Sequence, residues 1–239
     1  MTGTVATAAW QAEITEATDT ERFVAWTLER FGHLRMVLTT QFGMEGCALI
    51  DMYGSHRVPL TVVYLDTGFL FPETYALRDR MAKRYPHLSF ENRGTTLTAE
   101  AQAALHGDEL WARDPDRCCG IRKVDPMREA LTGVDVWITG ITRKQTQARA
   151  ETPMIGWDWQ FQLVKISPLA QWDRTRVWEY IKARDVPYNP LHERGYPTIG
   201  CTHCTRAVTG SGVTDYSRAG RWDNTAKTEC GLHSNGSGI

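Results

Sequence analysis

At 239 residues, with 42% hydrophobic side chains and six cysteines, the chain is long enough to bury one sizeable α/β core without disulfides. Lysine and arginine total 27 against 28 aspartate and glutamate, a formal net charge of −1, so no global positive field draws the chain onto nucleic acid and any affinity for anions must be local. No apolar run reaches bilayer length and residues 1–14 lack a basic segment followed by an apolar one, so a soluble, cytoplasmic protein with reduced thiols is expected.

Residues 1–18 are rich in Ala and Thr without a sustained apolar stripe, and are expected to form a flexible N-terminal arm. Asp19 or Thr20 caps a helix in which Phe23, Trp26 or Thr27, and Phe31 recur at helical spacing until Gly32. Residues 35–39 read as a buried strand, 41–45 as a loop, 47–52 as a short apolar helix and 60–65 as a second strand, which together make a β-loop-α-β unit. Asp66-Thr-Gly68 ends that strand, Pro72 suits the first turn of a helix continuing over 73–85, and a short strand follows at 88–91. A further buried strand at 134–139 stops at Gly140 before the basic loop 141–149, and 163–166 and 173–183 supply a last strand and helix. Beyond Pro187 the chain is loop-rich. The expected organisation is an α/β body over 19–210 and a mobile tail over 211–239.

Open parallel sheets bind ligands where strand ends meet polar loops. Thr39-Thr40-Gln41-Phe42-Gly43-Met44-Glu45 joins a strand to a helix, where backbone N–H groups and the positive helix N-terminus hold phosphate; an ordinary turn is the competing reading. Thr40, Phe42 and Gly43 are its candidate contacts. Asp66 can receive a ribose or adenine edge, or merely cap a strand–helix turn. Cys47 sits among apolar residues and reads as packing, whereas Cys118-Cys119 and Cys201-Thr-His-Cys204 place four thiols in two pairs. Adjacent cysteines form no unstrained disulfide, so these four read as a metal site, iron–sulfur or zinc, with His203 beside the metal rather than on it. Cys230 stands alone in the tail with His233 beside it and Arg218 and Arg221 upstream; it is either an inert terminal thiol or a nucleophile with a lowered pKa.

Five motifs in order, Cys118-Cys-Gly-Ile-Arg-Lys123, Gly140-Ile-Thr-Arg-Lys-Gln145 running on to Arg149, Gly200-Cys-Thr-His-Cys204, Arg218-Ala-Gly-Arg-Trp222 and Glu229-Cys-Gly-Leu-His233, resemble the assimilatory adenylyl-sulfate (APS) and phosphoadenylyl-sulfate (PAPS) reductases. The likeness is strongest to the iron–sulfur, APS-using branch. It implies a modified ATP-pyrophosphatase-like (adenine nucleotide alpha hydrolase-like) α/β fold with a parallel sheet, and a [4Fe–4S] cluster on Cys118, Cys119, Cys201 and Cys204. It further implies Cys230 as the nucleophile, His233 and Lys123 as its catalytic companions, and a clamp of Lys123, Arg143, Arg149, Arg218 and Arg221 on the substrate's anionic groups.

The implied activity is thioredoxin-dependent reduction of APS to sulfite and AMP through a Cys230 S-sulfonate, in sulfate assimilation towards cysteine, with no nucleic-acid or membrane partner and with homo-oligomerisation left open. The branch using PAPS without a cluster lacks both cysteine pairs, so their presence favours APS, with PAPS or dual specificity as the alternative. One departure stands out: the family's phosphate loop usually reads Ser-Phe-Gly, and Gln41 replaces that serine, leaving Thr40 as the substitute hydroxyl. A PP-loop tRNA thiolase shares the fold type but needs Ser-Gly-Gly-x-Asp-Ser, which residues 39–46 do not supply. A zinc-stapled nucleic-acid module would use the four cysteines structurally; the balanced charge and the Cys230 motif argue against it.

Overall fold

The computed structural model describes residues 9–215, 218–222, 227 and 229–232. Six short strands, β1 (Met36–Thr40), β2 (Thr61–Tyr64), β3 (Ser89–Asn92), β4 (Val136–Thr139), β5 (Ile155–Asp158) and β6 (Leu163–Ile166), form one sheet in the order β3-β2-β1-β4-β6-β5. Every neighbouring pair is parallel except β5 and β6. A parallel sheet needs covering on both faces, and successive side chains supply two cores. Leu38, Val62, Ile138 and Val164 face one core, while Val37, Val63, Trp137 and Leu163 face the other.

The first core is covered by α1 (Thr20–Phe31), α2 (Met44–Ser55), α3 (Pro72–Arg84) and α8 (Arg174–Ala183), through Phe23, Cys47, Leu77 and Val177 among others. Between β3 and β4 lie α4 (Ala99–His106), α5 (Leu110–Arg113), α6 (Pro115–Cys119) and α7 (Asp125–Ala130), and α7 covers the second core with Met127 and Ala130. α2 is buried from Met44 to Gly54, so its apolar character all round marks a central helix rather than a surface one. Of its two buried carboxylates, Asp51 is satisfied by the Tyr85 and Tyr180 hydroxyls and by Arg184 Nε, the last at 2.9 Å. Among the described residues no helix is long and apolar enough to cross a membrane.

Strand order reverses at β1, with β2 and β3 on one side and β4, β6 and β5 on the other, so a crevice opens beyond the carboxyl ends of β1 and β4. Thr39 and Thr40 from β1, Thr139 at the end of β4 and Gly140 after it line it. This places the phosphate-loop expectation at the topological switch point.

The expected strands and the helices at 19–32, 73–85 and 173–183 are found within two residues of their bounds, and the apolar helix is longer at both ends, spanning Met44–Ser55. Two features were not expected. β5 is an antiparallel edge strand whose four residues include Gly156, too short and too interrupted for a period-two signal. The helices over 99–130 are short pieces; α4 is set by its Thr98 cap, whose hydroxyl accepts from the Ala101 N–H at 3.1 Å, rather than by an apolar stripe. The arm also differs from expectation in its second half: Trp10 packs edge-on against Phe31 at 5.3 Å, Ile14 is 5% exposed, and Glu16 meets Arg143. Residues 1–8 lie outside the described residues.

A Cβ at Gly46 would sit 2.3 Å from Thr40 Oγ1, the atom that accepts the Phe42 N–H at 2.8 Å. Gly46→Ala is therefore expected to displace the loop at Thr40–Gly43 and to lower the unfolding free energy measured in urea by about 1 kcal/mol or more. An unchanged unfolding free energy would contradict this dependence of the loop on the open space at Gly46.

Candidate active site

The phosphate loop is built by local hydrogen bonding. Thr40 Oγ1 draws in the Phe42 N–H, and Phe42 adopts φ 56°, a left-handed conformation costly for a bulky residue. Burial of its ring, 2% exposed and 5.5 Å from Tyr64, supplies the compensating packing. Gly43 then caps α2 without any side chain of its own, which leaves the first N–H groups of that helix directed at the crevice. Glu45, in the first turn, is buried against Arg174 at 2.8 Å, so this carboxylate does not oppose an anion at full charge.

Four thiols from two distant segments line a second, narrow space. Cys118 and Cys119 close α6, which starts at Pro115 with Asp114 capping the Arg117 N–H at 2.9 Å. A π-turn, Gly120–Val124, follows directly, its extra residue per turn shown by the Asp125 N–H bonding to the Gly120 carbonyl. That added residue turns Arg122 and Lys123 both inward, to 2% and 6% exposure. Arg122 is a strut: Nη1 donates to the Thr67 carbonyl at 2.6 Å, Nε to Gln102 Oε1 at 2.7 Å, and its guanidinium lies 4.2 Å from the Phe69 ring centre. The segment after β2 in turn pairs with Cys201, through a Leu70–Cys201 bridge and the Thr202 N–H on the Phe69 carbonyl at 2.8 Å. Thr67 Oγ1 stands 3.3 Å from Cys201 Sγ, and Gln102 Nε2 points at Cys118 Sγ from 3.9 Å.

As free thiols Cys118, Cys119 and Cys204 resist ionisation. Burial pushes Cys118 and Cys119 up, and burial with the neighbouring Cys201 takes Cys204 to about 11. Four soft sulfur donors around one space fit an iron–sulfur cluster. Among the described residues no three His, Cys, Asp or Glu groups converge closely enough to hold a single ion.

Lys123 also lines a larger cleft, together with Gln41, Gly43, Arg149, Arg218, Arg221 and Cys230. Burial alone would neutralise the Lys123 ammonium, but Cys201 and Cys230 outweigh it and hold its pKa above the usual value. Cys230 shows the reciprocal effect: burial drives its thiol up, yet Lys123, the Leu232 N–H and Arg149 together bring it below the ordinary 9.0. Gly231, at φ 85°, makes the turn that sets Cys230 and Leu232 beside the π-turn; a Cβ there would touch Val124 at 3.4 Å. Arg218 and Arg221 lie over the Trp222 ring at 5.2 and 4.5 Å, and Trp222 walls the thiol space from the other side. Gly200 lets Arg221 in, because a Cβ at that position would fall 2.5 Å from its guanidinium.

The structure therefore brings together Lys123, Arg149, Arg218, Arg221 and Cys230, with Gly43 on the same cleft and Thr40 on the adjoining crevice. Three expected contacts sit elsewhere. Arg143 is not on this cleft: it forms a bidentate pair with Glu16, both bonds 2.8 Å, and donates to the Thr152 carbonyl, so the arm holds it away. Asp66 accepts from the Gly68 N–H and from the Tyr75 hydroxyl at 2.8 Å, and ends β2 as a turn residue. Phe42 offers backbone only. His233 lies outside the described residues. His203 stacks on Trp111 at 4.0 Å, and Cys47 is inert, pushed by burial up to about 12. Sequence reading missed Arg174 and His192 on the cleft wall, whose roles depend on tertiary pairing with Glu45 and the Tyr196 carbonyl.

The family model "Phosphoadenosine phosphosulfate reductase domain" matches residues 35–207. Among curated relatives, the chain is 44% identical to the adenosine 5'-phosphosulfate reductase of Oceanobacillus iheyensis, over 91% of this chain and 89% of that one. It is 43% identical to adenosine 5'-phosphosulfate reductase 1 of Bacillus subtilis, over 87% and 88%. Among solved structures, phosphoadenylyl-sulfate reductase from Candida auris superposes with a TM-score of 0.71 at 30% identity, covering 83% of this chain and 95% of that one. Yeast FAD synthetase shares the fold, at a TM-score of 0.54 and 15% identity over 84% and 73%.

The lowered Cys230 pKa predicts alkylation by iodoacetamide with a midpoint below 9.0, and Lys123→Met should raise that midpoint by roughly one unit. For a depressed thiol pKa the sign of the stability linkage is fixed: docking of the Cys230 segment is favoured above the unfolded pKa and that contribution is lost as pH falls through the lowered native value. An unmoved midpoint in Lys123→Met would refute the pairing.

Proposed function

Because the chain belongs to the phosphoadenosine phosphosulfate reductase domain family, we propose that it reduces APS to sulfite and AMP by way of a Cys230 S-sulfonate. The observation that carries this is the meeting of Cys230 with Lys123, Arg149, Arg218 and Arg221 in one cleft beside the phosphate loop. A thiolate attacking a sulfur that bears anionic oxygens needs that charge offset, and positioned cations in a shielded cleft offset it. Arg149 and Arg218 each keep a buried Nε without a hydrogen-bond partner, which leaves donor capacity for an oxyanion.

In the first step Cys230 Sγ attacks the sulfur of APS, an S–S bond forms, the S–O bond to phosphate breaks, and the electron pair leaves with AMP. A thiolate from a dithiol protein then attacks Cys230 Sγ, expelling sulfite with its electron pair and leaving a mixed disulfide. The second thiol of that donor resolves it, so the donor ends as a disulfide and sulfur has gained two electrons. Thioredoxin is the donor proposed. A chain whose six cysteines are all unpaired suits a reducing cytoplasm.

Cys118, Cys119, Cys201 and Cys204 would hold a [4Fe–4S] cluster: they line one space, and four thiolates are the ligands such a cluster takes. When bound it supplies a rigid anchor and a local field at the π-turn. Lys123, carried by that turn, orients the anion and keeps Cys230 ionised. APS is favoured over PAPS by the two cysteine pairs and by the names of the curated relatives.

Two measurements test this reading. Incubated with APS and no reductant, the holoenzyme should gain one sulfonate on the peptide bearing Cys230, and Cys230→Ser should gain none and release no sulfite with thioredoxin; turnover by Cys230→Ser would sink the covalent scheme. Cys204→Ser should lose iron, sulfide and brown colour and melt at lower temperature. An iron-free wild-type protein purified under anaerobic conditions would refute the cluster assignment.

A further inference from the structure

Two of the cations facing Cys230 already hold an anion, and it is the chain's own. Glu229, immediately before the thiol, places Oε2 2.7 Å from Arg149 Nη2 and 3.5 Å from Arg218 Nη1, while its Oε1 accepts the Thr146 hydroxyl at 2.8 Å. All three charged side chains are largely withdrawn from water, with 10%, 21% and 16% of the Arg149, Arg218 and Glu229 side chains exposed. Burial works against the Glu229 carboxylate, but Arg149 and Arg218 more than offset it and keep it ionised. The carboxylate thus stands where an oxyanion of a ligand in this cleft would bind. A carboxylate engages these arginines through one oxygen, whereas a sulfate or phosphate group presents three oxygens and can reach the Nε atoms of Arg149 and Arg218 that remain without partners.

We propose that Glu229 is a positioning residue that seats Cys230 by occupying Arg149 and Arg218 in place of the substrate's anion, so that an arriving sulfonucleotide takes these cations over from the segment carrying the nucleophile. This deepens the sulfonucleotide-reductase reading and rests on it for the identity of the anion. Before substrate arrives, Glu229 keeps the cations neutralised and Cys230 beside Lys123. Once the anion binds, Glu229 is displaced and Cys230 is held by Lys123 and the Leu232 packing alone, which leaves the residue bearing the sulfonate free to leave the cleft when the thiol donor approaches.

The test compares wild-type, Glu229→Gln and Glu229→Asp holoenzymes. Removing the competing charge in Glu229→Gln should tighten binding of AMP and of inorganic sulfate by roughly tenfold in calorimetry and lower the KM for APS in proportion. At the same time the single-turnover rate of sulfonate formation at saturating APS should stay within about twofold of wild type, because Glu229 is already displaced in the bound complex. Glu229→Asp keeps the charge, so its AMP affinity should stay near wild type. A merely structural role would weaken binding and rate together. Unchanged or weaker AMP and sulfate binding in a folded, iron-replete Glu229→Gln protein overturns the proposal, as does tightening of equal size in Glu229→Asp. The binding arm uses no turnover, so a wild type that binds AMP but reduces neither APS nor PAPS refutes the reductase reading and leaves the Glu229 result to be judged separately.

Discussion

One buried ammonium ties the two halves of the site together. Lys123 lines both the space bounded by the four thiols and the cleft that holds Cys230, at 6% exposure. Burial works against a charge at that depth, and the Cys201 and Cys230 sulfurs in thiolate form offset it. The dependence runs both ways, since Cys230 owes its lowered pKa first to Lys123 once burial is overcome. The chain reaches this pairing through a π-turn directly after Cys118-Cys119, where one additional residue per turn lets thiols and cation face the same interior.

Around that pair the rest of the site is braced by contacts that are individually modest. Arg122 fastens the π-turn to Thr67, Thr67 approaches Cys201, and Cys201 pairs with Leu70, so three segments far apart in sequence are locked at one corner. On the other side Trp222 carries Arg218 and Arg221 on its ring, and Gly200 leaves room for Arg221. The phosphate loop is set independently by the Thr40 hydroxyl, the buried Phe42 ring and the absence of a side chain at Gly46. This separation explains how Gln41 is accommodated in place of serine. The donors at the head of α2 are backbone N–H groups, and Gln41 turns its amide towards the Leu65 carbonyl at 3.4 Å.

Much of this was legible in the sequence because the signals were local. Buried strands such as 163–166 and capped helices such as 173–183 announce themselves by apolar runs and by Asp173, whose side chain does accept the Arg176 N–H. Spacing set the paired Cys118, Cys119, Cys201 and Cys204 apart from the lone Cys230, while their roles were implied only by the family resemblance. What spacing cannot reveal is pairing across the fold. Arg143 looked equivalent to Arg149, yet Glu16, 127 residues away, holds it bidentately off the cleft. The charge on Glu229 looked incidental until its contacts with Arg149, Arg218 and Thr146 were in place. Arg174 and His192 carried no motif at all, and their place on the cleft wall follows from Glu45 being buried at the head of α2.

The central claim is that Lys123 couples the thiol cage to the attacking sulfur. The most direct measurement is the single-turnover rate of Cys230 sulfonate formation from APS in Lys123→Met holoenzyme with its iron content matched to wild type. The account predicts retained iron and a rate at least roughly a hundredfold lower, the scale of losing one positioned electrostatic group. A rate within twofold of wild type at matched iron would contradict it.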